Sequence, residues 1–186
     1  RNSKMTTQPI RFIVLGAPRS MTTWISALMT TDKTLCLHDP LWNRDLADLD
    51  RLKSDKVLGI ACTGLAFIAP DWVNAHPARK LVVHRPLLEI QRSLGNIGLP
   101  QPVDDYGPRL DQIHGHHIIY DEILNPAIAR NIFEWLSHGL RFDAERHAEL
   151  VKMNVQPAFR QISVDRTAAR RLVKQYVKEA RGSNDV

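Results

Sequence analysis

Near the start of the chain, Gly16-Ala17-Pro18-Arg19-Ser20-Met21-Thr22-Thr23-Trp24 concentrates groups that bind anions. Arg19 offers a fixed guanidinium, and Ser20, Thr22 and Thr23 offer hydroxyl donors. The segment follows an apolar run, Phe12-Ile13-Val14-Leu15, and precedes Trp24, Ile25, Leu28 and Met29 at helical spacing. It therefore spans a strand-to-helix turn. Unpaired backbone N–H groups and a partial positive charge gather where a helix begins, so a turn of this composition suits phosphate. The plainer reading is a tight turn with a capping hydroxyl. Clustered donors and a turn fixed by Pro18 favour the anion.

The spacing also says which nucleotide chemistry to exclude. The common phosphate loop runs Gly, four residues, Gly, Lys, then Ser or Thr. Gly16 fits, but Met21 stands at the second Gly and Thr22 at the Lys. Without a lysine for β- and γ-phosphates, an ordinary ATPase or GTPase is disfavoured. A second constellation lies farther on. Arg85 closes the apolar run Lys80–His84, and Ser93 follows eight residues later within an expected helix. An Arg at a strand end offers a fork of donors to a phosphate, and a Ser two turns along can add another. Taken alone, the pair reads rather as a strand-closing Arg and an exposed helical Ser; beside the first loop, the phosphate reading is favoured.

Together the two segments resemble the nucleotide motifs of the sulfotransferases that use 3′-phosphoadenosine 5′-phosphosulfate (PAPS). The family pattern is Pro, Arg or Lys, Ser, Gly, Thr, Thr, Trp. Pro18, Arg19, Ser20, Thr22, Thr23 and Trp24 match it, and Met21 departs from the Gly. If that position needs φ > 0, Met is strained there. Arg85 and Ser93 match the family's 3′-phosphate spacing. A third likeness, Tyr120-Asp121-Glu122-Ile123-Leu124 with the helix after Pro126, is read as structural. The likeness spans about residues 10–150 and is nearest to small bacterial and phage members. The family's C-terminal Arg-Lys-Gly loop is not recognisable here.

The resemblance implies PAPS as sulfuryl donor, the bisphosphate PAP as product, an acceptor that is commonly a hydroxyl, and no metal. It implies that Arg19, Ser20, Thr22 and Thr23 hold the 5′-phosphosulfate, that Arg19 carries the leaving-group charge, and that Arg85 and Ser93 hold the 3′-phosphate. It implies Trp24 stacking on adenine; the other reading is a core Trp. The base is expected where small members place Glu, in Leu37-His38-Asp39-Pro40-Leu41, so Asp39 or His38 takes the acceptor's proton. Asp39 otherwise reads as a cap before Pro40. Many family members have a catalytic Lys where Cys62-Thr63-Gly64 stands here. His114, His116 and His117 are irregularly spaced and no Cys joins them, so they read as structural or surface histidines. His84, beside Arg85, is a minor candidate for acceptor contact. The rival readings are a nucleotide-dependent kinase or hydrolase, and a silent binding protein on the same fold.

Positioning these groups takes alternating elements. Strands are expected over 11–15, 34–38, 57–62, 80–84 and within 113–120. Helices are expected over 22–29, 46–52, 67–75, 86–94 (with Pro86 at its first position), 126–137, 142–151 and 164–181. Residues 96–109, with three Pro and two Gly, read as a loop or lid. Alternation of this kind predicts one α/β domain over 10–182, a three-layer α/β/α sandwich with a parallel sheet. Continuous rather than alternating apolar strands fit a sheet covered on both faces.

Composition agrees. The chain has 186 residues, 44% hydrophobic and 24% charged, enough for a core without disulfide or metal staples. Two cysteines, Cys36 and Cys62, are too few for a disulfide scaffold and suit a reduced, cytoplasmic interior. The apolar content excludes disorder, and no run reaches the ~18–20 residues of a membrane span. Residues 1–9 are expected to be a cloning remnant and tail. The net charge of +5 comes from the C-terminal segment, where residues 160–182 hold seven basic and two acidic residues. That segment reads as a solvated helix face or an anion-facing one. The expected partners are a small-molecule nucleotide donor and an unidentified acceptor, with no membrane span and no nucleic acid.

Overall fold

The structure, a computed structural model, describes residues 7–42, 44–98 and 103–153. The chain divides into two units, Arg1–Gln156 and Pro157–Val186, and the described residues all lie in the first. The basic helix expected over 164–181 falls outside them.

Strand β1 (Ile10–Gly16) buries almost every side chain, as its continuous apolar run requires. It is the middle strand of a five-stranded sheet that also contains β2 (Thr34–His38), β3 (Val57–Cys62), β4 (Arg79–His84) and β5 (His116–Ile119). The order is β2-β3-β1-β4-β5, and every pairing is parallel. Ile13 of β1 sits opposite Ile60 on one side and Lys80 on the other. The sheet carries apolar side chains on both faces, so both must be covered. On one face Phe12, Val14, Leu81, Val83 and Ile118 pack with α1 (Thr22–Leu28), α7 (Pro126–Leu136) and α8 (Ala144–Lys152). On the other, Ile13, Leu15, Ile60 and Val82 pack with α2 (Leu46–Leu49), α3 (Leu65–Ile68), α4 (Pro70–Ala75), α5 (Leu87–Asn96) and α6 (Tyr106–Asp111). The expected α/β class with a parallel sheet is what the chain forms. Among the described residues, no helix is long and apolar enough to cross a membrane.

Three expectations change. The helix expected over 67–75 is two helices. Ala69 breaks it at φ −148°, because Pro70 disfavours helical backbone in the residue before it and brings no N–H. The segment 96–109 is not all loop: α6 begins at Tyr106 and buries Leu110. Pro86 is not the first residue of α5 but its flanking cap, with ψ 128°, and the helix starts at Leu87.

Parallel strands bring their C-terminal ends to one edge. Gly16, His38, Cys62 and His84 close their strands there, and the segments that follow them hold the residues singled out above. Open α/β sheets bind ligands at this edge.

Candidate functional site

The turn from β1 to α1 bends through two left-handed residues, Arg19 at φ 68° and Met21 at φ 64°. Met21 occupies the cap position of α1 with no side-chain cap, and its carbonyl accepts from the Ile25 N–H at 2.9 Å. The position does require positive φ, the condition under which Met is strained. Gly16 begins the turn because the space is tight: an added Cβ would lie 3.2 Å from the Val83 carbonyl and 3.2 Å from Thr22 Cγ2. Ser20 is fully buried, and its Oγ has no hydrogen-bond partner. An orphaned buried hydroxyl is costly, which singles Ser20 out within the turn.

Arg19 turns toward α5. Its Nε donates to Ser93 Oγ at 2.9 Å, joining two segments 74 residues apart. Arg85 donates to the Arg19 carbonyl. The first loop and the Arg85–Ser93 pair therefore make one cluster. Arg85 is itself fixed from its other side. Its Nε donates to Glu89 Oε2 at 3.2 Å, and its guanidinium lies 4.5 Å from the Tyr120 ring centre. Tyr120 donates its hydroxyl to the same Glu89 oxygen at 2.8 Å. The Tyr120 bond and then Arg85 hold the Glu89 carboxyl below its usual range, while Glu89 raises the Tyr120 hydroxyl. Partial burial and the neighbouring Arg85 charge lower the Arg19 guanidinium from its ordinary value. Two half-buried guanidiniums, only one of them paired with a carboxylate, leave an excess of positive charge, the condition for binding an anion.

On the other side of the loop, a cavity of about 150 Å³ is lined by Pro18, Arg19, Met21, Thr22, Thr23, His38, Asp39 and Thr63. His38 Nε2 lies 3.0 Å from Thr23 Oγ1 and 3.4 Å from Thr22 Oγ1. It also lies 3.5 Å from Asp39 Oδ2. Asp39 Oδ1 accepts from the Thr63 N–H at 2.8 Å and from the Thr63 hydroxyl at 3.2 Å. Asp39 is left-handed too, at φ 42°. Its carboxylate is thus pinned through one oxygen, and the other faces His38 Nε2. Asp39 also stands directly before a 3-10 turn over Pro40–Trp42, and its carbonyl accepts from the Trp42 N–H at 3.2 Å, as the cap reading expects.

The structure brings Pro18, Arg19, Ser20, Met21, Thr22, Thr23, His38, Asp39, Arg85 and Ser93 to one edge of the sheet. Trp24 does not join them. It is only 4% exposed, its Nε1 donates to the Leu150 carbonyl at 3.0 Å, and it meets the His147 ring edge-on. Its place is the core, which corrects the stacking role, because a covered ring has no face for adenine. Sequence reasoning missed three supporting residues. Thr63 orients Asp39, and Glu89 and Tyr120 hold Arg85. The only signal for Glu89 is its place four residues after Arg85 on a helix. Thr63 and Tyr120 arrive through the sheet order. No family model matches this chain, and neither does any curated protein.

Proposed function

We propose that this chain is a sulfotransferase, moving a sulfuryl group from PAPS to a hydroxyl acceptor. The observation that carries the reading is the Arg19–Ser93 contact with Arg85 bound to the same loop. It unites two motifs whose joint meaning is a nucleotide with phosphates at both 5′ and 3′ positions. Arg19, Ser20, Thr22 and Thr23 hold the 5′-phosphosulfate, with Pro18 and Met21 shaping the turn. Arg85 and Ser93 hold the 3′-phosphate, and Ser93 releases Arg19 when phosphate arrives. The orphaned Ser20 hydroxyl fits a ligand rich in acceptor oxygens.

Transfer breaks the S–O bond to the nucleotide phosphate and forms one to the acceptor oxygen. Negative charge grows on the leaving phosphate, where Arg19 sits. The moving SO₃ carries less charge than a terminal phosphoryl, so the reaction does not depend on a loop Lys. Asp39 Oδ2 takes the acceptor's proton, and His38, hydrogen-bonded to Thr23, lines the same cavity.

The test is calorimetric titration with adenosine 3′,5′-bisphosphate, with ATP and AMP as controls and no Mg²⁺. Saturable binding of the bisphosphate alone is expected. Preference for ATP that requires Mg²⁺ would replace this reading by a kinase. Absence of nucleotide binding would leave a binding protein on the same fold.

A further inference from the structure

The histidines of the 114–117 segment lack metal-binding spacing among themselves, but the fold supplies other partners. His117 on β5 and His84 on β4 lie on the same face of the sheet, since Val82 pairs with His117 and His84 with Ile119. Helix α6 packs against β4 and ends at Asp111. His84, His117 and Asp111 each offer a donor atom, and the three atoms lie within 4.8 Å of one another.

Proton bookkeeping shows what this cluster lacks. His117 Nε2 lies 2.9 Å from the Ile113 carbonyl. A carbonyl only accepts, so Nε2 carries the hydrogen and Nδ1 is a bare lone pair. That Nδ1 is 2.8 Å from His84 Nε2, which must therefore donate. The other nitrogen of the His84 ring, Nδ1, faces Asp111 Oδ1 at 3.9 Å. At that separation the two groups are not hydrogen-bonded to each other, and a cation is what such a gap accepts.

The geometry points to a divalent transition-metal site formed by His84, His117 and Asp111. The donor atoms already share one neighbourhood, so rotation of the side chains brings them onto one ion. The Asp111 side chain, 70% exposed, is free to close on the ion. Two imidazoles and one carboxylate favour Zn²⁺, Co²⁺ or Ni²⁺ over Mg²⁺ or Ca²⁺. Three protein ligands leave a fourth position open to water or another ligand. The Ile113 carbonyl is the outer partner that fixes a metal-binding His in the required tautomer. This inference does not depend on the sulfotransferase reading.

The experiment titrates Zn²⁺ into metal-free protein against a chromophoric chelator, and repeats the titration with His117→Ala and with Asp111→Asn. Circular dichroism checks the fold of both variants, whose substituted side chains are exposed. One Zn²⁺ per chain is expected, not displaced by excess Mg²⁺, with affinity lowered more than about tenfold in each variant. Co²⁺ should give a visible absorption band that His117→Ala abolishes. Unchanged affinity in both variants would place the ion on other histidines and overturn the assignment. Failure of the wild-type chain to take up Zn²⁺ would overturn it as well, leaving a proton as the only cation the gap accepts.

Discussion

Three side chains without glycine's freedom, Arg19, Met21 and Asp39, hold left-handed backbone where the strand ends converge. Such a conformation costs roughly 1–2 kcal/mol for an L-residue. Packing around the loop must outweigh that cost. Met21→Gly relieves the strain but frees the unfolded chain and loses partial packing against the core. The terms nearly cancel, so stability in urea should stay within about 1 kcal/mol of wild type. A larger loss would make the Met21 side chain a packing element. Arg85→Ala removes a charged donor that Glu89 and Tyr120 have already oriented. Affinity for adenosine 3′,5′-bisphosphate should fall about 10- to 100-fold by calorimetry, and unchanged affinity would remove Arg85 from the 3′-phosphate site. Asp39→Asn keeps an acceptor for Thr63 but removes the base. Turnover should drop about 100-fold or more while bisphosphate affinity holds. Surviving turnover would move the proton to His38. The loop residues were legible in the sequence because a strand-to-helix turn is a local event. Trp24 was not, since helical spacing fits a covered ring as well as a stacking one, and only the packing of α8 decides.

Among the elements, the five strands and the longer helices were readable from apolar runs and spacing. What escaped was decided by tertiary burial or by one proline. Helix α6 hid in a stretch whose Pro and Gly content reads as loop, yet burying Leu110 beneath the sheet stabilises a short helix there. The break between α3 and α4 was legible in Pro70 but was outweighed by the apolar spacing around it. Strand β3 contains a glycine that is not a turn residue. A Cβ on Gly59 would lie 2.0 Å from the Phe12 ring of β1, deep inside the core. Gly59→Ala should destabilise by about 1–3 kcal/mol, or more if the ring cannot shift, as read from urea unfolding. Adding Phe12→Leu should recover part of the loss. If the pair is no better than the single change, the ring is not the obstacle.

For the whole molecule, acid should destabilise. Burial is the first cause that lowers His76, His84 and His138 from their ordinary value. The unfolded chain therefore binds protons first as pH falls below about 6.5, and stability declines from there through the folded values. Glu89 acts in the same direction at lower pH, because its carboxyl is held below its usual range when folded. The urea midpoint should be lower at pH 5 than at pH 7.5, measured without added metal. An unchanged midpoint would mean that the three rings take protons as readily folded as unfolded. Burial also pushes the Cys36 thiol up strongly and the Cys62 thiol to about 11. Neither should react with Ellman's reagent at pH 8 until the chain is denatured. The strand order has a last consequence, for synthesis. The middle strand, Ile10–Gly16, is the first to be made, and its two neighbours end at Cys62 and His84. On a ribosome adding about 5–20 residues per second, that hydrophobic ribbon waits seconds to roughly ten seconds for its second flank. Until then it is an unpaired edge of the kind that aggregates, a hazard of synthesis that closure of the sheet by its second flank removes.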